Sequence, residues 1–195
     1  MDDRIFFDNL APTWDENEQL STSERVNYVL NFLDLSQGDS VLDLGTGTGV
    51  LIPYLAERIG PDGAITAVDF SEGMLSRAKE KYNCVLPKPN FLNIDFESDT
   101  IEGKFDKIIL YCVYPHLHSP ADTLKWLRAV NLKENGKIFI AFPTSPDFIN
   151  NIHRQRHSDS DALPDAYSLA HQLSNHGLNA RVVNADEISY IISIN

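Results

Sequence analysis

Basic residues are scarce in this sequence: 16 Lys and Arg stand against 28 Asp and Glu, a formal net charge of −12 over 195 residues. That balance disfavours tight binding to nucleic-acid phosphates. The densest basic stretch, Arg154-Gln-Arg156, is too short to override it. A small metabolite is the better partner. Cysteine is nearly absent, and Cys84 and Cys112 form neither a metal-ligand spacing nor a disulfide framework, which fits a reducing cytosol. No apolar run approaches the about 18 residues that would suggest a membrane span. The opening stretch MDDRIFFDNL lacks the basic start and long apolar core of a signal peptide, so a cytoplasmic location is expected.

What is present is an alternation of apolar runs with amphipathic stretches. Residues 41–44, 64–68, 91–94, 105–113 and 137–142 read as strands, short and bounded by Gly, Pro, Asp or Asn. Their near-continuous apolarity suits strands covered on both faces, as in a parallel sheet. Between them, Leu51, Leu55 and Ile59 recur at helical spacing, and 71–81 starts on an N-cap residue and ends in cations. Residues 121–130 place Leu124, Leu127 and Val130 on one side, and 164–176 closes at Gly177. The ends differ. Residues 1–37 look helical, with Ser21 to Glu24 ("STSE") as a capping box, and form an N-terminal helical cap. Residues 178–195 read as two strands reversing around 184–187, hence antiparallel. The expected fold is α/β: a doubly wound, mostly parallel seven-stranded sheet with a C-terminal antiparallel pair and helices on both faces, over 38–195.

Three glycines, Gly45, Gly47 and Gly49, crowd the stretch VLDLGTGTGV directly behind the first strand. Glycine is costly to order, so the backbone is needed close to something there. A P-loop requires a Lys, and none follows until Lys79; the dinucleotide fingerprint requires Gly where Val50 stands. What remains is Asp-x-Gly-x-Gly-x-Gly, with Asp43 two residues ahead of the first glycine. A carboxylate there repels pyrophosphate and suits an ammonium or sulfonium group. Pro53 belongs in a helix's first turn, so helical bonding begins near Val50 and leaves the glycine amides to face a ligand.

The stretch resembles the first motif of the class I, Rossmann-like S-adenosylmethionine-dependent methyltransferases. The resemblance implies S-adenosyl-L-methionine as cofactor. It makes Asp69, 26 residues beyond Asp43, the ribose-hydroxyl ligand, followed by the family-like Ser71, Met74 and Ala78. It also makes Asp95, beside Phe96, the partner of the adenine amino group. Asp43, Gly45, Thr46, Gly47, Gly49, Asp69, Phe70, Met74, Asp95, Phe96 and Tyr111 are the cofactor-binding candidates, with Met74 and Phe96 against the adenine faces. Carboxylates accept two hydrogen bonds from vicinal hydroxyls. The alternative is that Asp69 and Asp95 only cap the next helix or turn. The narrower likeness is to methyltransferases of ubiquinone and menaquinone synthesis, and it leaves a homodimer open.

Methyl transfer is an in-line displacement in which positioning and desolvation supply much of the acceleration, so no protein nucleophile is required. The segment after strand four, ILYCVYPHLHSP, faces the acceptor in this family. It lacks both the Asn/Asp-Pro-Pro-Tyr/Phe of base-amine enzymes and the Pro-Cys of cytosine-C5 enzymes, which argues against nucleic-acid substrates. His116 in this loop is a candidate base, since imidazole exchanges protons near neutral pH; a packing histidine is the plainer reading. His116, His118, His153 and His157 fall in two loops at one end of the sheet, with Asp147, Asp159 and Asp161 near. Their spacings can chelate a transition metal, but a polar loop suffices and no metal is assigned. Residues 143–163 are expected to be a substrate loop, with Arg154 and Arg156 either attracting an anionic acceptor or merely solvated. Phe6, Phe7 and Trp14 either wall the acceptor pocket or pack on the sheet. The expected function is methyl transfer to a small-molecule acceptor. The competing readings are a cofactor-binding module without turnover and a nucleotide-dependent oxidoreductase, the latter disfavoured by Val50.

Overall fold

The computed structural model describes residues 3–16, 22–156 and 162–195. A seven-stranded sheet runs through it, built from β1 (Ser40–Leu44), β2 (Ala64–Asp69), β3 (Asn90–Asn93), β4 (Phe105–Tyr111), β5 (Leu132–Phe142), β6 (Ala180–Ala185) and β7 (Tyr190–Ile194). Their order across the sheet is β3-β2-β1-β4-β5-β7-β6. β1 to β5 pair in parallel, and β7 runs antiparallel to both β5 and β6. The helices are α1 (Asp3–Leu10), α2 (Ser23–Leu30), α3 (Ile52–Ile59), α4 (Glu72–Tyr82), α5 (Pro120–Val130), α6 (Pro146–Arg156) and α7 (Ala166–Asn175), with a 3-10 turn at Ala11–Glu16 after α1.

Alternation along the strands divides the core in two. Leu42, Leu44, Ile108, Leu110, Ile138, Ile140 and Ile192 point to a face covered by Leu124 and Leu127 of α5, Ile149 of α6 and Leu169 and Leu173 of α7. Val41, Ile65, Ala67, Ile109, Phe139 and Ile191 point to the other, under Val26 and Val29 of α2 and Leu55 and Ile59 of α3. Each Val, Leu, Ile or Phe among them, fully buried, contributes about 1.5–3 kcal/mol, which is why strands apolar on both faces specify this layering.

Several expectations are corrected. The fourth strand stops at Tyr111, because Cys112 turns left-handed (φ +59) and leaves the sheet. The fifth begins at Leu132, its polar first half LKENG hiding it in the sequence. Val130 ends its helix 41% exposed instead of joining Leu124 and Leu127. The α2 N-cap is Thr22, whose hydroxyl accepts from the Arg25 N–H, one residue later than the capping box placed it. The reversal between the last strands falls at 186–189, where the Asp186 carboxylate accepts from the N–H groups of Ile188 and Ser189. Residues 143–163 are not a structureless loop, since α6 occupies Pro146–Arg156. Gly177 follows α7 with φ +84, as a helix-ending glycine does.

Candidate active site

The sheet reverses its winding between β1 and β4, the neighbours from which the chain proceeds outward in opposite directions. In such sheets the crevice beyond the carboxyl ends of the strands at the reversal receives the ligand. Two loops flank it here: the glycine loop after β1, and the segment 112–119 after β4.

Asp43 sits on β1 opposite Ala67 and Ile109 and is 1% exposed. Its Oδ2 accepts the Thr46 hydroxyl at 2.7 Å. Burial pushes its carboxyl up to about 7; the Thr46 hydrogen bond works the other way, and the nearby Asp69 charge adds to the rise. Asp69 ends β2, 5% exposed, with Oδ2 accepting the Gly47 N–H at 2.8 Å and Oδ1 the Ser71 N–H at 2.9 Å. Burial raises it to about 6 against the pull of those two amides. Two carboxyls in one buried site are therefore both held well above the ordinary carboxylate range.

All three loop glycines have positive φ, +67 at Gly45, +56 at Gly47 and +84 at Gly49, a region closed to most side chains. Their surroundings differ. A Cβ on Gly45 would lie 2.5 Å from Val113 Cγ2, and one on Gly49 would lie 2.8 Å from Tyr82 and 2.9 Å from Ile52. One on Gly47 would meet nothing within 4 Å. Gly45 and Gly49 thus serve packing, and Gly47 alone fronts open space. The expectation that the loop amides are left for a ligand is corrected. The Gly47 N–H is held by Asp69, that of Thr46 by the Val68 carbonyl and that of Gly49 by the Thr46 carbonyl. A buried carboxylate needs donors, and Asp69 takes them from the loop.

Asp95 follows β3, half-buried, with Oδ1 accepting the Glu97 N–H at 3.0 Å. That oxygen does the turn-capping job weighed against ligation. Phe96 packs with Val68, Ile101 and Phe105 in the core. Met74, 2% exposed, lies in the first turn of α4, whose N-cap Ser71 accepts from the Met74 N–H. Tyr111 is buried, in the core cluster that also holds Leu51, Ile52 and Phe139.

The N-terminal segment reaches this site, through Phe7 and Trp14 and through two carboxylates the sequence did not single out, Asp8 and Asp15. Asp8 accepts the Ser71 hydroxyl at 2.6 Å and the Gly73 N–H at 2.9 Å, and those bonds hold its carboxyl below the usual range. Asp15 accepts the Thr48 hydroxyl at 2.6 Å and pairs with Lys81 at 3.0 Å. Phe7 stands edge-on to Trp14, Phe70 and His116, with ring centroids 5.8, 5.9 and 5.5 Å away. The Arg4 guanidinium lies 5.9 Å over Phe70. One signal was available: Gly73 inside a helix is unfavourable and implies a close neighbour, and a Cβ there would lie 3.2 Å from Asp8 Oδ1.

His116 and His118 do not converge on a metal site. His116 faces Phe7, whereas His118 Nδ1 lies 2.9 Å from Glu97 Oε2. The His153 side chain and residues 157–161, with His157, Asp159 and Asp161, lie outside the described residues. Among the described residues no group of three His, Cys, Asp or Glu is placed to hold a metal ion. No helix among them is long and apolar enough to cross a membrane.

A family model described as a methyltransferase domain matches residues 35–184. A 2-phytyl-1,4-naphtoquinone methyltransferase of Trichormus variabilis is 31% identical over 148 residues, 70% of this chain and 62% of its own length. The chain thus spans less than two thirds of that relative. Among solved structures, an S-adenosylmethionine-dependent methyltransferase from Aquifex aeolicus superposes with TM-score 0.75 at 22% identity, covering 96% of this chain and 97% of the other. A DhpI–SAH complex also gives 0.75 at 16% identity, covering 98% and 94%. With the sheet order, the glycine loop and the acidic pair in place, the chain belongs to the methyltransferase-domain family and has the fold of the class I S-adenosylmethionine-dependent methyltransferases.

Proposed function

We propose that this protein transfers the methyl group of S-adenosylmethionine to a small, planar aromatic acceptor of the quinol type. The observation that carries the cofactor half is the buried pair Asp43 and Asp69 around a glycine loop whose Gly47 fronts open space. The donor set fits the cofactor's groups. Asp69 uses one lone pair of each oxygen on an amide and keeps others for two ribose hydroxyls. Asp43 supplies negative charge toward the cationic methionine portion. Met74 and Phe70 border the adenine side, and Asp95 retains Oδ2 for the adenine amino group. When bound, the cofactor supplies an electrophilic methyl on a sulfonium whose C–S electron pair leaves with sulfur.

The acceptor half rests on the aromatic cluster. Phe7, Trp14 and Phe70 gather beside His116, giving an apolar wall that suits a flat ring better than a carboxylate. The name of the Trichormus variabilis relative supports that class. Residues 3–16, latched by Asp8 and Asp15, cap the crevice and exclude water from it. As the acceptor carbon or oxygen bonds to the methyl, its proton departs, and we assign that proton to the imidazole of His116, whose ring stands beside Phe7. The net charge of −12 argues against a nucleic-acid acceptor.

The test is a screen with radiolabelled methyl donor against reduced naphthoquinones, phenols and carboxylates. Label on the quinol supports the reading. Cofactor binding with no transfer to any of them favours a binding module, and tighter binding of NAD than of S-adenosylmethionine refutes the cofactor assignment. Replacing His116 by Ala is expected to lower turnover about 100-fold while S-adenosylhomocysteine affinity changes less than about threefold; an unchanged rate removes His116 as the base.

A further inference from the structure

The segment 112–119 is held at both ends by contacts outside the machinery described so far. At its start, Cys112 keeps φ +59, a conformation a non-glycine residue holds only where its surroundings enforce it. The Cys112 N–H donates to the Ala141 carbonyl at 2.9 Å, and Val113 lies against Gly45. At its end stands Glu97. Its Oε2 accepts the His118 N–H at 2.9 Å and lies 2.9 Å from His118 Nδ1. Its Oε1 accepts the Ser119 N–H at 3.2 Å and the Thr123 hydroxyl at 2.8 Å. Burial works to raise this carboxyl, and the bonds from His118, Thr123 and Ser119 outweigh it and hold it below the usual range. The α5 N-cap, Ser119, makes no side-chain capping bond of its own. Glu97 therefore brings the negative charge and the acceptor oxygens that this helix start requires, from a segment more than 20 residues earlier.

Glu97 also directly follows Asp95 and Phe96, and its own N–H donates to Asp95 Oδ1. One residue thus joins the turn assigned to the adenine end of the cofactor with the loop carrying His116. We propose that Glu97 is a positioning residue that couples cofactor occupancy at residues 95–97 to the order of the acceptor-side loop 112–119. Cofactor settling on the turn fixes the Glu97 backbone. The carboxylate then fixes His118 and Ser119, and with Cys112 held at the other end, His116 has one place to stand. The inference rests on the cofactor and acceptor sides assigned under Proposed function.

Amide hydrogen exchange, read by mass spectrometry with and without S-adenosylhomocysteine, tests it without any acceptor. In the unsubstituted chain the ligand is expected to slow exchange across 113–119 by about tenfold. Glu97→Gln keeps the size of the side chain but only one acceptor oxygen, so one pair of donors loses its partner. The variant is expected to keep its melting temperature within a few degrees and its S-adenosylhomocysteine affinity within about threefold, yet to lose the ligand-dependent slowing at 113–119. Thr123→Val removes one donor of the four and is expected to lose part of it. Ligand-dependent slowing that survives in Glu97→Gln overturns the inference. So does a folded Glu97→Gln chain whose exchange across 113–119 is already faster without ligand and is slowed by S-adenosylhomocysteine as much as in the parent, which marks a purely structural role. Should Glu97→Gln not fold, Thr123→Val decides, parent-like slowing counting against the inference and reduced slowing for it. An unsubstituted chain that binds no S-adenosylhomocysteine removes the cofactor reading itself and this inference with it, an outcome visible before any variant is compared.

Discussion

Asparagine in place of Asp43 is expected to raise the melting temperature of the ligand-free chain by about 5 °C near pH 8 and to weaken S-adenosylhomocysteine binding by at least about tenfold. The two effects have one origin. The Asp43 carboxyl is raised by burial from the ordinary 3.8 to about 7, so the fold favours its protonated form. Its stabilising contribution is fully present below about pH 4 and is lost as pH rises through about 7. Above that, a charge sits in the core beside Asp69. The shift corresponds to a few kcal/mol as an upper bound, and local relaxation will take part of it, leaving on the order of 2 kcal/mol. Asparagine keeps an oxygen for the Thr46 hydroxyl and carries no charge, so it removes the penalty at pH 8 and changes little below about pH 4.

Binding reverses the balance. The ammonium group, which S-adenosylhomocysteine keeps although it lacks the sulfonium, stabilises the ionised form of Asp43, and ribose hydroxyls do the same for Asp69, raised by burial to about 6. Complex formation must then release protons between about pH 5.5 and 7.5, and affinity must climb with pH over that window. Calorimetry in two buffers of different protonation enthalpy measures the release directly. Asp43→Asn should shrink the release and flatten the climb. A variant with parental affinity and an unaltered pH profile would place Asp43 away from the ligand.

The fold was legible because its strands are apolar on both faces and its helices carry a single stripe, two periods that do not resemble one another. Legibility failed where polarity interrupted the pattern. The β5 segment Lys133-Glu-Asn-Gly136 lies where the β4–β5 register shifts and its first three residues are exposed, and α6 reads Asp147, Asn150, Asn151, Arg154 along most of its length. Its start signals were present nonetheless, with Ser145 ahead of Pro146 and Asp147 in the first turn. Within the site, Asp43 was legible from its place two residues ahead of the first glycine, and Asp69 only from the resemblance to the family's motifs. Asp8, Asp15 and Glu97 were not. Each meets its partners across 21 to 66 positions of chain, and neither periodicity nor local spacing encodes such a meeting. The glycine amides illustrate the same limit: their availability depended on Asp69 arriving from the next strand.

The glycines themselves give the second large prediction, since the three share a backbone conformation and differ in what lies beyond the Cα. Gly49→Ala places a methyl 2.8 Å from Tyr82 Cδ2, 2.9 Å from Ile52 Cδ1 and 3.1 Å from Ala78 Cβ, between α3 and α4. Left-handed strain and overpacking together should cost about 3 kcal/mol and lower the melting temperature by about 10 °C. Ligand affinity, measured where the variant is folded, should stay within about threefold, because the methyl points into packing. Gly47→Ala bears strain at φ +56 with nothing within 4 Å to obstruct the methyl, so its cost to the free chain should be about 1 kcal/mol. Its N–H remains available to Asp69. The added methyl instead fills space that the cofactor would occupy, and S-adenosylhomocysteine affinity should fall by about tenfold or more. Thermal unfolding and calorimetry on the two variants separate a packing glycine from a ligand-facing one. If Gly47→Ala binds as the parent does, the cofactor does not approach the loop at Gly47 and the crevice must be entered from the β4 side.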